Sequence, residues 1–251
     1  MSSLFRFVSE LHGERPWGHV LDAGTGRNSL RWVATLGSER WTAVTGAVAM
    51  AAQARAAAGA AMRPADRIVV GNWIDPGLLA GESFDTVLAD YLVGAVEGFA
   101  PYGQDTLLRR LRSLTRGRLY LIGLEPYVPL PAPADPGGRL VWEIGRLRDA
   151  CLLLAGERPY REFPLAWVLD RLARCGFRIV AARRFPIRYG RRFVDGQIAM
   201  CRERALRLAD RTLGAALDGQ ARTLQDRALA VIADSGGLRL GEDYVVAAEP
   251  A

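Results

Sequence analysis

Asp22 is followed, after one alanine, by Gly24-Thr25-Gly26 and then by Asn28 and Ser29. The acid closes a short apolar run, Val20-Leu21, of the kind that ends a buried strand. Two glycines so close together predict a sharp turn in which the backbone approaches a ligand with no Cβ in the way. Asn28 and Ser29 are residues that cap helices, and a helix beginning there offers unpaired N–H groups and partial positive charge. Strand, glycine turn and helix together predict a cofactor cradle at the carboxyl end of a first strand. A second set of reactive groups follows later strands: Asp90-Tyr91 after 84–89, and Glu125 after 118–124. Carboxylates placed there can orient an acceptor or take its proton.

Two ligand classes compete for such a cradle. As a dinucleotide fingerprint the turn has Ser29 in the third glycine's place, and the acid expected about 20 residues on is missing, since 42–47 holds none. Leu21-Asp22-Ala-Gly24-Thr25-Gly26 instead resembles motif I of the class I S-adenosylmethionine-dependent methyltransferases, where an acid precedes Gly-x-Gly. The resemblance covers 19–124. It implies that Asp22, Gly24 and Gly26 line the methionine end of the cofactor, with Thr25 and Asn28 donating nearby. It implies further that Asn72, after a third strand, accepts from the adenine amino group, and that Trp73 offers a ring face and an N–H. Core packing is the competing role for Trp73. One departure stands out: the family usually ends its second strand with an acid that binds the ribose diol, and here Thr45 stands there. A threonine hydroxyl cannot accept two hydrogen bonds from a diol as a carboxylate does.

The same resemblance puts the transferable methyl group near Asp90 and Tyr91 and so makes both, with Thr45, candidate cofactor contacts as well. Asp90 is the first candidate for catalysis and Glu125 the second, with a helix N-cap as the bland alternative for Asp90. Tyr91, Glu97, Tyr127 and Arg146 are the candidate acceptor-binding residues. S-adenosyl-L-methionine, leaving as S-adenosyl-L-homocysteine, is the implied cofactor, and no metal is expected.

Elements that would position these residues alternate along the chain. Leu4, Phe7, Val8 and Leu11 fall at helical spacing and predict an amphipathic helix ending near Gly13, with His12 at its end within reach of the site. Strands are expected at 41–44, 67–70 (buried), 84–89, 118–124, 177–185 and 244–248 besides the one ending at Asp22. Helices are expected between them, and 129–138 reads as a proline- and glycine-rich loop. Beyond 185 the apolar stripe predicts a helix carrying Leu206, Ala209, Leu213 and Leu217 and another carrying Leu224, Ala228 and Ile232. This order predicts a Rossmann-like α/β fold. The family resemblance makes it a seven-stranded, mostly parallel sheet with helices on both faces, an antiparallel last strand and extra helices forming a cap. A single domain over 1–251 is expected, its cofactor-binding half at 16–126 and its capping helices within 138–242.

Composition bounds the partners. The chain has 251 residues, half of them hydrophobic, and a formal charge of +6. All 33 basic residues are arginine, dispersed among 27 acids. That spread argues for a biased genome and against a nucleic-acid-binding face. Three distant cysteines without a CxxC suggest a reducing compartment, so cytoplasm is expected. No signal-like N-terminus and no run near the ~18 apolar residues of a membrane span are seen. An Asn-Pro-Pro-Tyr motif and a Pro-Cys nucleophile are both missing after the fourth strand, which argues against nucleic-acid amino and cytosine C5 methylation. The expected reaction is methyl transfer to nitrogen or oxygen of a small molecule, as in specialised metabolism. An RNA or protein methyltransferase and a non-catalytic subunit of the same fold are the alternatives. A homodimer is compatible with the sequence.

Overall fold

A computed structural model describes residues 2–251. Its strands are β1 (His19–Asp22), β2 (Arg40–Thr45), β3 (Arg67–Val70), β4 (Phe84–Asp90), β5 (Thr115–Leu124), β6 (Phe177–Tyr189) and β7 (Leu238–Pro250). They form one seven-stranded sheet in the order β3-β2-β1-β4-β5-β7-β6. β1 to β5 pair in parallel, and β7 runs antiparallel to β5. The expected seven-stranded α/β sheet is thus present. Strand order reverses between β1 and β4, and in open α/β sheets ligands bind at such a switch point, beyond the carboxyl ends of the strands.

The strands are buried because both faces are covered. On one face α1 (Ser3–His12), α2 (Arg27–Val33) and α3 (Val48–Ala58) pack over Val20, Trp41, Leu88, Tyr120 and Val245. On the other, α4 (Leu92–Ala95), α5 (Gln104–Leu114) and α7 (Leu165–Arg174) cover Leu21, Val87, Leu119, Leu121 and Val246. Neighbouring residues of a strand therefore serve opposite layers, as the two-residue period requires.

The chain divides into two compact units. The sheet unit comprises residues 2–124, Arg161–Phe185 and Asp243–Ala251; the other comprises Glu125–Tyr160 and Pro186–Glu242. The second unit is built on three helices packed on one another, α6 (Pro136–Leu154), α8 (Arg191–Ala205) and α9 (Arg211–Ser235). Asp218 of α9 accepts from Arg202 at 2.6 Å and from Arg222 at 2.9 Å. A Cβ at Gly214 would come within 2.5 Å of the Ala205 carbonyl oxygen, so that glycine lets the helical turns approach. Among the described residues no helix is long and apolar enough to cross a membrane.

Several expected boundaries move. β3 is an edge strand and only partly buried, because it pairs with β2 alone. The turn between the last two helices falls at 206–210, so Leu213 and Leu217 belong to α9 with Leu224, and α8 precedes them. Arginines crowd α8 and dilute its apolar period, which hides it from a hydrophobic stripe. α6 starts inside the proline-rich stretch, where Asp135 caps it by accepting from Gly138 N at 2.7 Å. β7 begins six residues earlier than its apolar core, at Leu238.

Candidate active site

The turn after β1 is pinned to both neighbouring strands. Ala23 N donates to Leu88 O and Thr25 N to Val44 O, each at 2.8 Å. Within it Thr25 Oγ1 donates to Asp22 Oδ2 at 2.6 Å, and Ser29 Oγ to the same oxygen at 2.9 Å. Gly26 N donates to Ser29 Oγ at 3.0 Å. Asp22 is fully buried, and its other oxygen, Oδ1, has no partner among the described residues. Burial pushes the Asp22 carboxyl up to about 6, against the two hydrogen bonds that favour its charge.

The two glycines serve different purposes. Neither Gly24 nor Gly26 has a positive φ. A Cβ on Gly24 would lie 2.8 Å from the Leu92 side chain, so that position is needed for close packing of α4. A Cβ on Gly26 would meet nothing within 4 Å. Room in front of the turn, and not backbone conformation, is what Gly26 preserves.

Asp90 ends β4 beside Asp22, since Asp22 pairs with Leu88 two residues earlier. It does not cap α4, whose N-cap is Tyr91, without any side-chain bond. Burial is the first cause that pushes the Asp90 carboxyl up, to about 7, with repulsion from Asp22 and Asp243 adding to it. Tyr91 adopts a left-handed backbone, φ 51° and ψ 18°, which is costly for a residue with a Cβ and is found where surrounding structure over-determines it. Its N–H donates to Ile122 O at 2.9 Å, and its hydroxyl donates to Asp243 Oδ1 at 2.7 Å. Asp243 is itself pushed up to about 6, first by burial.

Asp243 is a site residue that the sequence did not disclose. Because β7 is antiparallel, its early residues lie at the carboxyl ends of the parallel strands, with Asp243 opposite Leu124. An acid just before Tyr244-Val245-Val246 was the only available signal, and it acquires meaning only through that pairing. Asp90, Tyr91 and Asp243 line a cavity of about 720 Å³ together with Asn28, Arg31 and Trp32 of α2 and the first turn of α1. Trp32, stacked on Phe5 at 4.7 Å, also leaves its buried indole N–H without a partner.

The carboxyl ends of β2 and β3 are arranged otherwise. Thr45 ends β2, with no acid beside it, and its buried Oγ1 has no partner among the described residues. Gly46 lies against the Phe99 ring, which a Cβ would approach to 2.7 Å. Asn72 spends its amide locally: Nδ2 donates to Phe99 O at 2.8 Å, and Oδ1 accepts from Ile74 N at 3.1 Å. Trp73 is buried in the apolar layer and donates from Nε1 to Ala23 O at 2.8 Å, bracing the turn after β1 from behind.

Glu97 is buried and accepts from Tyr102 N at 3.1 Å and Gln104 Nε2 at 3.0 Å, holding the chain before α5. Glu125, Tyr127 and Arg146 belong to the second unit. There Tyr127 is buried, which raises its phenol above the usual range, and the Arg146 guanidinium lies 4.8 Å from the Trp142 ring centroid. His12 is buried away from the cavity lining, stacked on Trp17 at 3.5 Å with Nδ1 3.0 Å from the Tyr120 hydroxyl.

No protein-family model and no curated protein sequence matches the chain. Solved structures do. A provisionally assigned methyltransferase from Bacillus halodurans C-125 is similar with a TM-score of 0.63 and 13% identity, over 100% of both chains. An S-adenosylmethionine-dependent methyltransferase from Geobacter sulfurreducens, in complex with S-adenosyl-L-homocysteine, gives 0.52 and 15% over 99% of this chain and 90% of its own. Coclaurine N-methyltransferase, bound to N-methylheliamine and the same product, gives 0.54 and 15% over 98% and 72%. The chain therefore has the fold of the class I S-adenosylmethionine-dependent methyltransferases, with β7 as the antiparallel strand.

Unpartnered buried atoms test whether the donor fits this chain. Asp22 Oδ1 and Thr45 Oγ1 are polar, buried and unsatisfied at the ends of adjacent strands, and such atoms are rare unless a ligand or water completes them. With the open space before Gly26 they fit a ligand that carries an ammonium at one end and hydroxyls at the other.

Proposed function

We propose that the chain transfers a methyl group from S-adenosylmethionine to nitrogen or oxygen of a small-molecule acceptor. The observation that carries this reading is the pairing at the switch point: buried Asp22 with a free Oδ1, next to Asp90 on the wall of a cavity. Asp22, Thr25, Gly26 and Asn28 would hold the methionyl end, and Thr45 would meet the ribose in place of the missing acid. Gly24 keeps the turn packed on Leu92, and Trp73 holds Ala23 from behind. The bound donor supplies a methyl group activated by a sulfonium. Asp90, with its carboxyl near 7, is matched to exchange a proton near neutral pH. Asp243 fixes the Tyr91 hydroxyl and with it the ring beside Asp90.

The free thiols Cys151, Cys175 and Cys201 support a reducing compartment, so we place the reaction in the cytoplasm. Scattered arginines support a small acceptor over a nucleic acid. Thr45 at the end of β2 favours a second reading, a non-catalytic subunit of the same fold. Calorimetry with S-adenosylmethionine, its demethylated product, NAD and NADP separates these. Saturable binding of the first two is expected. Binding of NAD alone overturns the assignment, and binding of none of them supports the non-catalytic reading.

A further inference from the structure

We infer that Asp243 is a positioning residue for Asp90: by holding the Tyr91 hydroxyl it fixes the left-handed turn that ends β4, and with it the place of Asp90 on the cavity wall. This rests on the methyl-transfer reading above and adds to it the device that keeps its proposed base in place. Asp90, Tyr91 and Asp243 all line one cavity. Asp90 and Tyr91 are consecutive, so a change of backbone at 91 is felt first at Asp90.

Tyrosine is a costly residue for that turn. Glycine or asparagine enters the left-handed region with little strain, whereas φ 51° and ψ 18° on Tyr91 persist only where the surroundings over-determine them. Three hydrogen bonds do so. Tyr91 N donates to Ile122 O of β5 at 2.9 Å, and Tyr91 O accepts from Ala95 N at 3.0 Å. Both use the main chain, and any residue with an N–H could make them. The third, from the Tyr91 hydroxyl to Asp243 Oδ1 at 2.7 Å, belongs to the side chain and joins residues 152 apart in sequence. β5 lies between β4 and β7 in the sheet, so the Tyr91 side chain reaches past the end of β5, where Leu124 pairs with Asp243. α4 carries no side-chain N-cap that would hold the turn instead.

Asp243 brings two properties, and substitution separates them. Its oxygen accepts from Tyr91, which the carboxamide oxygen of asparagine would do as well. Its charge acts on Asp90, as does that of Asp22, while Arg31 lines the same cavity and Glu162 acts on Tyr91 from the segment before α7. Loss of the acceptor releases Tyr91 and leaves a half-buried hydroxyl without its partner. Loss of the charge alone keeps Tyr91 held and makes Asp90 easier to ionise, because a like charge beside it is gone.

The test supplies a ¹³C-methyl donor at saturation and a metabolite extract of the source organism to wild type, Tyr91→Phe, Asp243→Ala, Asp243→Asn and the double variant of Tyr91→Phe with Asp243→Ala, and follows labelled product by NMR across pH. Tyr91→Phe and Asp243→Ala should each slow product formation about 10- to 100-fold, the scale of a misplaced reacting group. Affinity for S-adenosyl-L-homocysteine, by calorimetry, should stay within about threefold, since no uniform binding is removed. The double variant should lose no more than either single one, because the two residues act as a unit. Asp243→Asn should recover most of what Asp243→Ala loses, and its rate should rise at lower pH than that of wild type, a shift that a role confined to stability would not produce. Additive losses, a Tyr91→Phe as fast as wild type, or an Asp243→Asn as slow as Asp243→Ala overturn the positioning role and leave methyl transfer standing. No labelled product from wild type overturns both. Should Asp243→Ala fail to fold, Tyr91→Phe and Asp243→Asn still decide.

Discussion

Two stretches of the same sheet edge are held in opposite ways. At the ends of β2 and β3, Asn72 bonds to Phe99 O and Ile74 N, and Phe99 fills the space over Gly46. The Asn72 amide is spent on the protein itself, and Thr45 Oγ1 is the one group there left without a partner among the described residues. At the ends of β1, β4 and β7, Asp90 and Asp243 line a cavity with Arg31, Asp22 keeps a buried Oδ1 unpartnered, and left-handed Tyr91 donates its hydroxyl to Asp243. Polar groups here are kept available at a cost in stability. The difference teaches where the chain keeps ionisable groups unspent: at the switch point, which on the proposed reading faces the methionyl half of the donor, while the ends of β2 and β3 would hold its adenosyl half largely by shape.

The sharpest way to break this comparison is through the two glycines. Gly26→Leu adds a side chain to open space at φ −122°, so the fold should hold while binding of S-adenosyl-L-homocysteine is lost. Gly24→Leu drives a side chain into Leu92; overpacking of that kind costs about 1–3 kcal/mol. Thermal melts and calorimetry on both variants should therefore separate cleanly. If Gly26→Leu binds as wild type does, the donor does not pass in front of that turn.

Next in size is the response to pH. Asp90, Asp22 and Asp243 are held at about 7, 6 and 6, above the ordinary aspartate value of 3.8. The folded chain then binds more protons than the unfolded one between about pH 4 and 7, so their contribution to stability is present below that window and lost as pH rises through it. His19, lowered to about 4 mainly by burial, acts in the opposite direction over much of the same range. The difference between wild type and Asp90→Asn isolates the carboxyl: the variant should gain relative stability as pH climbs toward 7. Turnover of the wild type should rise with pH through about 7 as Asp90 ionises, and the variant should lose that step. Parallel melting curves for the two proteins across this range would show that Asp90 carries no buried charge.

Much of this layout is legible in the sequence because it is local. Val20-Leu21-Asp22 ends a strand, Gly24 and Gly26 mark the turn, and Ala89-Asp90 ends another buried run, so short-range patterns suffice to place both acids. What is not legible depends on pairing between distant segments. Asp243 reaches the site only because β7 runs antiparallel beside β5. Phe99 meets Gly46 across more than fifty residues, and no periodicity reports that contact. β3 looked buried because Ile68-Val69-Val70 is apolar, yet its edge position leaves it partly open. α8 was obscured for the opposite reason, its arginines being tied to acids of its own unit and not to solvent alone, as in Arg202 with Asp218.

The smallest expected effect bears on the end of β2, where the proposed reading places the donor's ribose and Thr45 stands in for an acid. Its hydroxyl is buried without a partner, and an unsatisfied buried polar group costs about 1–3 kcal/mol that an apolar group of the same shape would not. Thr45→Val should therefore leave the free protein as stable as wild type or slightly more so. If the hydroxyl meets a ribose oxygen in the complex, the same change should weaken S-adenosyl-L-homocysteine binding by about 0.5–1.5 kcal/mol, roughly two- to tenfold. The two readouts move in opposite directions, which no general loosening of the fold can imitate. Equal affinity for the variant and wild type would mean that the ribose is held by shape alone. The asymmetry between the two halves of the edge would then be complete, with every polar contact to the donor made at its methionyl end.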